Sequence, residues 1–195
     1  MGKIFCIIGK SSTGKDTIYQ RLLDNSRLKL KNIVLYTTRP IRVNEKDGVE
    51  YHFCDAATRD AYLASGKVIE IRSYDTCHGI WDYFTVDDEQ IQLDQQSYLM
   101  IGTLESYEKI KDYYNKGAVI PIYIEVEDGI RLERALRREM AQEHPKYEEL
   151  CRRFLADSKD FSEEKLAEAK IDRIFHNDDI IKTEQEIVTY IQSFA

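Results

Sequence analysis

One stretch limits the fold of this chain more than any other: IFCIIGKSSTGKDTIYQRLL, residues 4–23. An apolar run from Ile4 to Ile8 ends at Gly9. Gly14 and Lys15 then complete a G-x-x-x-x-G-K spacing ahead of the helix-spaced Ile18, Leu22 and Leu23. The run reads as a buried strand, and the recurrence after it as one face of a helix. Between them, a glycine-bounded loop gathers backbone N–H groups at the positive end of the helix, with a lysine beside them, and so cradles phosphate oxygens. A tight strand-to-helix turn with an exposed lysine is the plainer alternative, but it needs neither both glycines nor this register. Gly9, Lys10, Ser11, Ser12, Thr13, Gly14, Lys15, Asp16 and Thr17 are therefore the expected nucleotide-phosphate site. Asp16 stands where loops of this type carry a Ser or Thr that touches Mg²⁺.

The alternation of strand and helix continues. Strands are expected at 32–36, 51–53, 67–74, 98–101, 118–126 and 171–175, and helices at 55–65, 86–93, 104–115 and 180–194. Residues 128–161 read as two helices joined near His144 and Pro145, because proline breaks a helix interior. Such alternation implies the α/β class, with a mainly parallel sheet covered on both faces. At 195 residues, 43% of them hydrophobic, the chain suffices for a single core and one domain.

The net charge of −7 and the pI near 5.2 argue against a nucleic-acid surface, which needs clustered cations to neutralise phosphates. Cys6, Cys54, Cys77 and Cys151 show no C-x-x-C spacing, which suits free thiols in a reducing compartment and excludes a zinc framework. The first apolar run is too short for a signal or a membrane span, so a cytoplasmic protein without membrane partners is expected. Trp81 and the thirteen tyrosines read as core and pocket wall, and the acidic residues Glu163, Glu164 and Glu168 as a solvated helix face. The oligomeric state is not legible.

A second cluster lies in TTRPIRVNEKDGVEYHF, residues 37–53. Arg39 and Arg42, followed by the hydroxyl of Tyr51, form a clamp for a second phosphate, since guanidinium groups hold phosphate oxygens in bidentate fashion. On composition alone, a solvated loop with incidental arginines explains the stretch equally well.

This stretch resembles the guanylate kinase signature T-[ST]-R-x-x-[KR]-x-x-[DE]-x-x-G-x-x-Y-x-[FY], with every fixed position filled from Thr37 to Phe53. The resemblance runs on through VIE at 68–70, the arginine-rich segment after Asp128, and DRIFHNDD at 172–179. It implies a P-loop nucleoside monophosphate kinase fold with a five-stranded parallel sheet. The core would comprise residues 1–35, 96–127 and 162–195, the monophosphate-binding insert about 36–95, and the helical lid about 128–161. The implied reaction moves the terminal phosphate of ATP, with Mg²⁺, to GMP or dGMP. Residue by residue, Arg39, Arg42 and Tyr51 would hold the acceptor phosphate and Glu70 would read the guanine edge. Lys15 would bridge the donor phosphates. Arg134 and Arg138, with Arg152 or Arg153, would close over the transferring group, and Asn177 would lie beside the adenine. Surface pairing of Arg134 and Arg138 with nearby glutamates is the plainer reading of those two.

Three positions depart from the family pattern. Leu35 replaces a serine that bonds the base. His78, Gly79 and Ile80 replace Tyr-Gly-Ser or Tyr-Gly-Thr, so His78 would take the tyrosine's place at the acceptor phosphate. YLMIGT, residues 98–103, lacks the two aspartates of the family's Leu-Asp-x-Asp. A different nucleobase is therefore an open alternative, and Asp16 becomes the expected Mg²⁺ ligand, with helix capping by Asp16 and metal contact by Thr17 as the other reading. The alternative from another class is a phosphopeptide-binding module, as in membrane-associated scaffold proteins. Such domains tend to erode the loop and lid that Gly9, Gly14, Lys15 and the lid arginines here retain.

Overall fold

A computed structural model of the chain describes residues 1–76, 79–115 and 117–194. In chain order the elements are β1 (Ile4–Ile8), α1 (Lys15–Asp24), β2 (Lys31–Asn32), β3 (Tyr36–Thr37), β4 (His52–Phe53), α2 (Ala56–Ala64), β5 (Val68–Thr76) and β6 (Gly79–Val86). They continue as β7 (Tyr98–Ile101), α3 (Leu104–Tyr114), β8 (Val119–Glu125), α4 (Asp128–Met140), α5 (Tyr147–Asp160), α6 (Glu163–Glu168), β9 (Ile174–His176) and α7 (Ile180–Gln192).

A five-stranded sheet of order β2-β7-β1-β8-β9, parallel throughout, forms the centre. Every residue of β1 is buried, as a parallel strand with both faces covered requires. The period of two decides what covers each face. Phe5 and Ile7 pack with Ile18 and Leu22 of α1 and with Ile187 and Ile191 of α7. Ile4, Cys6 and Ile8 face the other way, toward Tyr107 and Ile110 of α3 and toward Phe161. Because β1 lies between β7 and β8, the order reverses there, and a crevice opens at its carboxyl end, where the glycine loop begins.

A smaller mixed sheet of order β4-β3-β6-β5 carries the rest. The β5–β6 hairpin pairs Glu70 with Thr85, Arg72 with Tyr83 and Tyr74 with Trp81, placing these six side chains on one face. Ile71, Ser73, Asp82 and Phe84 occupy the opposite face. There α2 covers them, with Tyr62 against Phe84 and Arg59 paired to Asp82. α2 starts and stops where its caps lie: Asp55 accepts from the Thr58 N–H at 2.8 Å, and Gly66 follows at φ +69°.

Two expected elements differ. The strand expected at 32–36 is split between the two sheets, as β2 and β3. The helix expected at 86–93 is absent: Val86 ends β6, and the chain then runs irregularly, with Glu89 at φ +69°. One side chain ties the two segments together. The Gln90 amide accepts from Val34 N–H at 2.9 Å and donates to Val34 C=O at 3.3 Å, so it serves the backbone that would otherwise be orphaned where the chain passes between sheets. Two elements, β6 and α6, have no counterpart among the expected ones. No helix among the described residues is long and apolar enough to cross a membrane.

Candidate active site

The glycine loop is held in shape by close approach. A Cβ on Gly9 would stand 2.4 Å from the Ile124 carbonyl oxygen of β8. Gly14 enters α1 at φ +82°, and a Cβ there would meet Asn177 Nδ2 at 2.6 Å. Thr13 is buried, with its hydroxyl donating to Lys10 C=O at 3.0 Å and its own carbonyl accepting from Asn177 Nδ2 at 2.7 Å. α1 then begins with no side-chain cap, so its first N–H groups point into the loop for an anion to satisfy. Lys15 curls over the loop, its Nζ 3.5 Å from the Lys10 carbonyl. Burial pulls its ammonium below the ordinary lysine range. Asp16 and Asp157 oppose that shift, whereas Arg153 and Arg138 add to it. An incoming phosphate would add a negative charge that favours the charged ammonium and opposes the repulsion from the two arginines.

Helices α4 and α5 are fastened to this loop. Asp157 on α5 accepts from the Ser11 N–H at 2.7 Å. Arg131 on α4 donates to Ser11 C=O at 2.8 Å and to Asp157 at 3.3 Å, while its Nε reaches Asp128 at 3.0 Å. Asp128 also takes Lys10 Nζ at 3.3 Å. Arg131 is 1% exposed and stacks on Phe154. Above them, Arg138 donates to Ser12 Oγ at 3.4 Å and Arg153 to Ser11 Oγ at 3.3 Å.

The second cluster assembles on the small sheet. Arg39, 3% exposed, donates both terminal nitrogens to Glu45 at 2.9 and 2.8 Å, and lies over the rings of Tyr51 and Phe53. The Arg39 hydrogen bond holds the Glu45 carboxyl below the usual carboxylate range. Tyr51 packs edge-on against Tyr83, and Tyr83 against Tyr74. Burial pushes the phenol of Tyr19, on α1, up to about 12. At the row's far end Glu70 is buried, and Arg72 Nε and the Thr85 hydroxyl donate to it at 3.0 and 2.8 Å.

The expected residues thus fall into two groups and some outliers. Lys15, Arg138 and Arg153 surround the loop; Arg39, Tyr51 and Glu70 share the face of the small sheet. Arg152 turns away to a surface pair with Glu149, and Arg134 is exposed without a polar partner among the described residues. The Arg42 side chain is also exposed, and His78 lies outside the described residues. Asn177, expected beside adenine, is 3% exposed beneath the loop, where its Nδ2 donates to Thr13 C=O while its Oδ1 has no hydrogen-bond partner among the described residues. Ile80 pairs with Asp75 on the face away from Glu70, so the β6 residues that share the Glu70 face are Trp81, Tyr83 and Thr85. Leu35 is buried, its carbonyl accepting from His52 N–H at 2.8 Å. Arg131 and Asp157 carry no motif and escape sequence reading. Arg72 was legible in principle, since residues i and i+2 of a strand share a face.

Comparison with known proteins gives one family. The sequence profile described as guanylate kinase matches residues 1–194. The guanylate kinase of Mycoplasma pneumoniae is 36% identical over 73 residues, 37% of this chain and 30% of the relative. That of Schizosaccharomyces pombe is 39% identical over 64 residues, 33% of this chain and 32% of the relative. These alignments span about a third of the curated relatives' length. The crystal structure of guanylate kinase from Anaplasma phagocytophilum superposes with a TM-score of 0.69 at 19% identity, over 98% of this chain and 85% of that one, and shares the fold.

Proposed function

From the premise that this chain belongs to the guanylate kinase family, we propose that it transfers the terminal phosphoryl group of ATP to a nucleoside monophosphate, with GMP or dGMP the first acceptors to test. The observation that carries this reading is the uncapped start of α1 beneath Lys15, with Arg138 and Arg153 reaching the loop serines from two different helices. That arrangement supplies N–H donors and three cations to one polyphosphate.

In this reading the acceptor phosphate oxygen is already a competent nucleophile, so the chain's task is positioning and charge neutralisation. Lys15 and the loop N–H groups hold the donor phosphates. Arg39, Arg42 and Tyr51 hold the acceptor phosphate. Arg138 and Arg153, joined by Arg134 from the exposed face of α4, spread over the equatorial oxygens and exclude water as the lid at about 128–161 closes on the core.

Among the described residues no cluster of three His, Cys, Asp or Glu side chains is arranged for a metal ion. The donor chemistry still fits Mg²⁺ drawn mostly from the nucleotide, because Asp16 offers an 86% exposed carboxylate in the first turn of α1. Asp16 and the Thr17 hydroxyl are the residues that would hold the ion, which when bound supplies neutralisation of phosphate charge. A coupled ADP-release assay over a panel of nucleoside and deoxynucleoside monophosphates tests the reading. Turnover that depends on a monophosphate supports it, and ADP release independent of every acceptor overturns it.

A further inference from the structure

Both backbone groups of Ser11 are held by the two helices that follow β8. Its N–H donates to Asp157 Oδ2 at 2.7 Å, its C=O accepts from Arg131 Nη1 at 2.8 Å, and the same Nη1 reaches the same Asp157 oxygen at 3.3 Å. One carboxylate oxygen thus closes a ring through the loop backbone and a guanidinium. Asp128 extends the clamp to the next loop residue, accepting from Arg131 Nε at 3.0 Å and from Lys10 Nζ at 3.3 Å. The Arg131 side chain is 1% exposed and that of Asp157 17%.

A carboxylate here works against polyphosphate binding. It takes up a loop N–H and sets negative charge beside the place where the donor phosphates would lie. Its geometry fits another task. Asp157 stands one turn after Arg153 on α5, and Arg131 two turns before Arg138 on α4, so each clamp residue shares a helix face with one of the arginines that reach the loop serines. All four line one cavity of about 40 Å³ together with Ser11 and Ser12. A helix rises about 1.5 Å per residue, which puts Arg138 about 10 Å and Arg153 about 6 Å along stiff arms from the point of attachment.

Resting on the kinase reading above, we propose that Asp157 and Arg131 are positioning residues, whose clamp on Ser11 stays closed during transfer and aims Arg138 and Arg153 at the moving phosphoryl group. Closure of the lid then pivots about this clamp. Because a misplacement of about 1 Å in groups that hold the reacting centre costs about 100-fold, the effect falls on rate and not on ATP affinity.

The test measures kcat and KM on the full chain with ATP, Mg²⁺ and whichever acceptor of the panel above turns over fastest. Asp157→Ala should lower kcat at least about 30-fold while KM for ATP stays level or falls, since the change removes an anion. Asp157→Glu keeps the charge but lengthens the arm, and should lower kcat at least about tenfold with KM for ATP again level. Asp157→Asn keeps the accepting oxygen, so kcat should return to within about fivefold of the wild type. A smaller fall in kcat for Asp157→Ala overturns the inference. So does a rise in KM for ATP that matches the loss of kcat, which marks an Asp157 that only holds the loop in shape. If Asp157→Ala fails to fold, Asp157→Glu decides by the same two readings. A wild type without acceptor-dependent turnover overturns the kinase reading and this inference with it; an active wild type with an undisturbed Asp157→Ala overturns the role of the clamp alone.

Discussion

At the scale of residues, Asp16 lies in the first turn of α1 with an exposed carboxylate. It follows Lys15 directly, its Oδ2 is 3.9 Å from Lys15 Nζ, and α1 starts without a side-chain cap. On the proposed reading, in which Asp16 would hold the ion, Asp16→Ala should cut Mg²⁺-dependent turnover at least about 100-fold while leaving metal-free ATP binding nearly unchanged. Fluorescence titration with and without Mg²⁺ separates the two effects, and unchanged turnover would exclude Asp16 as a ligand. Glu45 makes a different statement at the same scale. Its carboxyl is depressed first by the Arg39 hydrogen bond. The stability it contributes is therefore present above the ordinary glutamate value of about 4.3, and is lost as pH falls through the lower folded value. Melting curves from pH 7 to pH 3 should show a steep acid limb in the wild type and a shallower one in Glu45→Gln.

At the scale of elements, attachment of α4 and α5 to the loop depends on few side chains. Arg131 is buried against Asp157 and Asp128, and the same guanidinium reaches the loop backbone at Ser11. Arg131→Met should lower stability by about 3 kcal/mol, because it removes the buried cation that pairs Asp157 with Asp128 and leaves the Ser11 carbonyl without its donor. Arg137→Met is the matched control on the same helix. Arg137 and Glu133 are 78% and 59% exposed, and losing such a surface pair costs under about 0.5 kcal/mol. Urea denaturation of both variants checks the contrast, and equal losses would show that the loop is not braced through Arg131.

For the whole molecule, a chain of net charge −7 gathers Lys15, Arg138 and Arg153 around one loop, so its anion affinity is local and not a property of the overall field. Ligand linkage then predicts a global effect. ATP at about 100 times its Kd should add about 2.7 kcal/mol to stability. For a chain of this size that raises Tm by roughly 5–10 °C. Lys15→Met should lose most of the shift, since on the proposed reading Lys15, curled over the loop, holds the donor phosphates. A thermal melt with and without ATP reads both proteins, and an equal shift in the two would place the nucleotide elsewhere.

Much of this was legible along the chain, because it depends on neighbours within a few residues. The strand, loop and helix around Gly9 to Leu23, the caps at Asp55 and Gly66, and the break at Pro145 all follow from spacing and backbone preference. The signature from Thr37 to Phe53 likewise stands in one short stretch. Other features needed the tertiary structure, because their partners are remote and bear no motif. Asp157 meets Ser11 across 146 positions, Asn177 meets Thr13 across 164, and Gln90 replaces a strand partner for Val34 across 56. The face on which Ile80 lies was decided by the β5–β6 register, since a shift of one residue in pairing exchanges the two faces of a strand. Composition and periodicity thus determined the fold class and the loop. Only packing decided which donors meet Glu70, because the free energy of a buried carboxylate depends on the donors the fold brings to it.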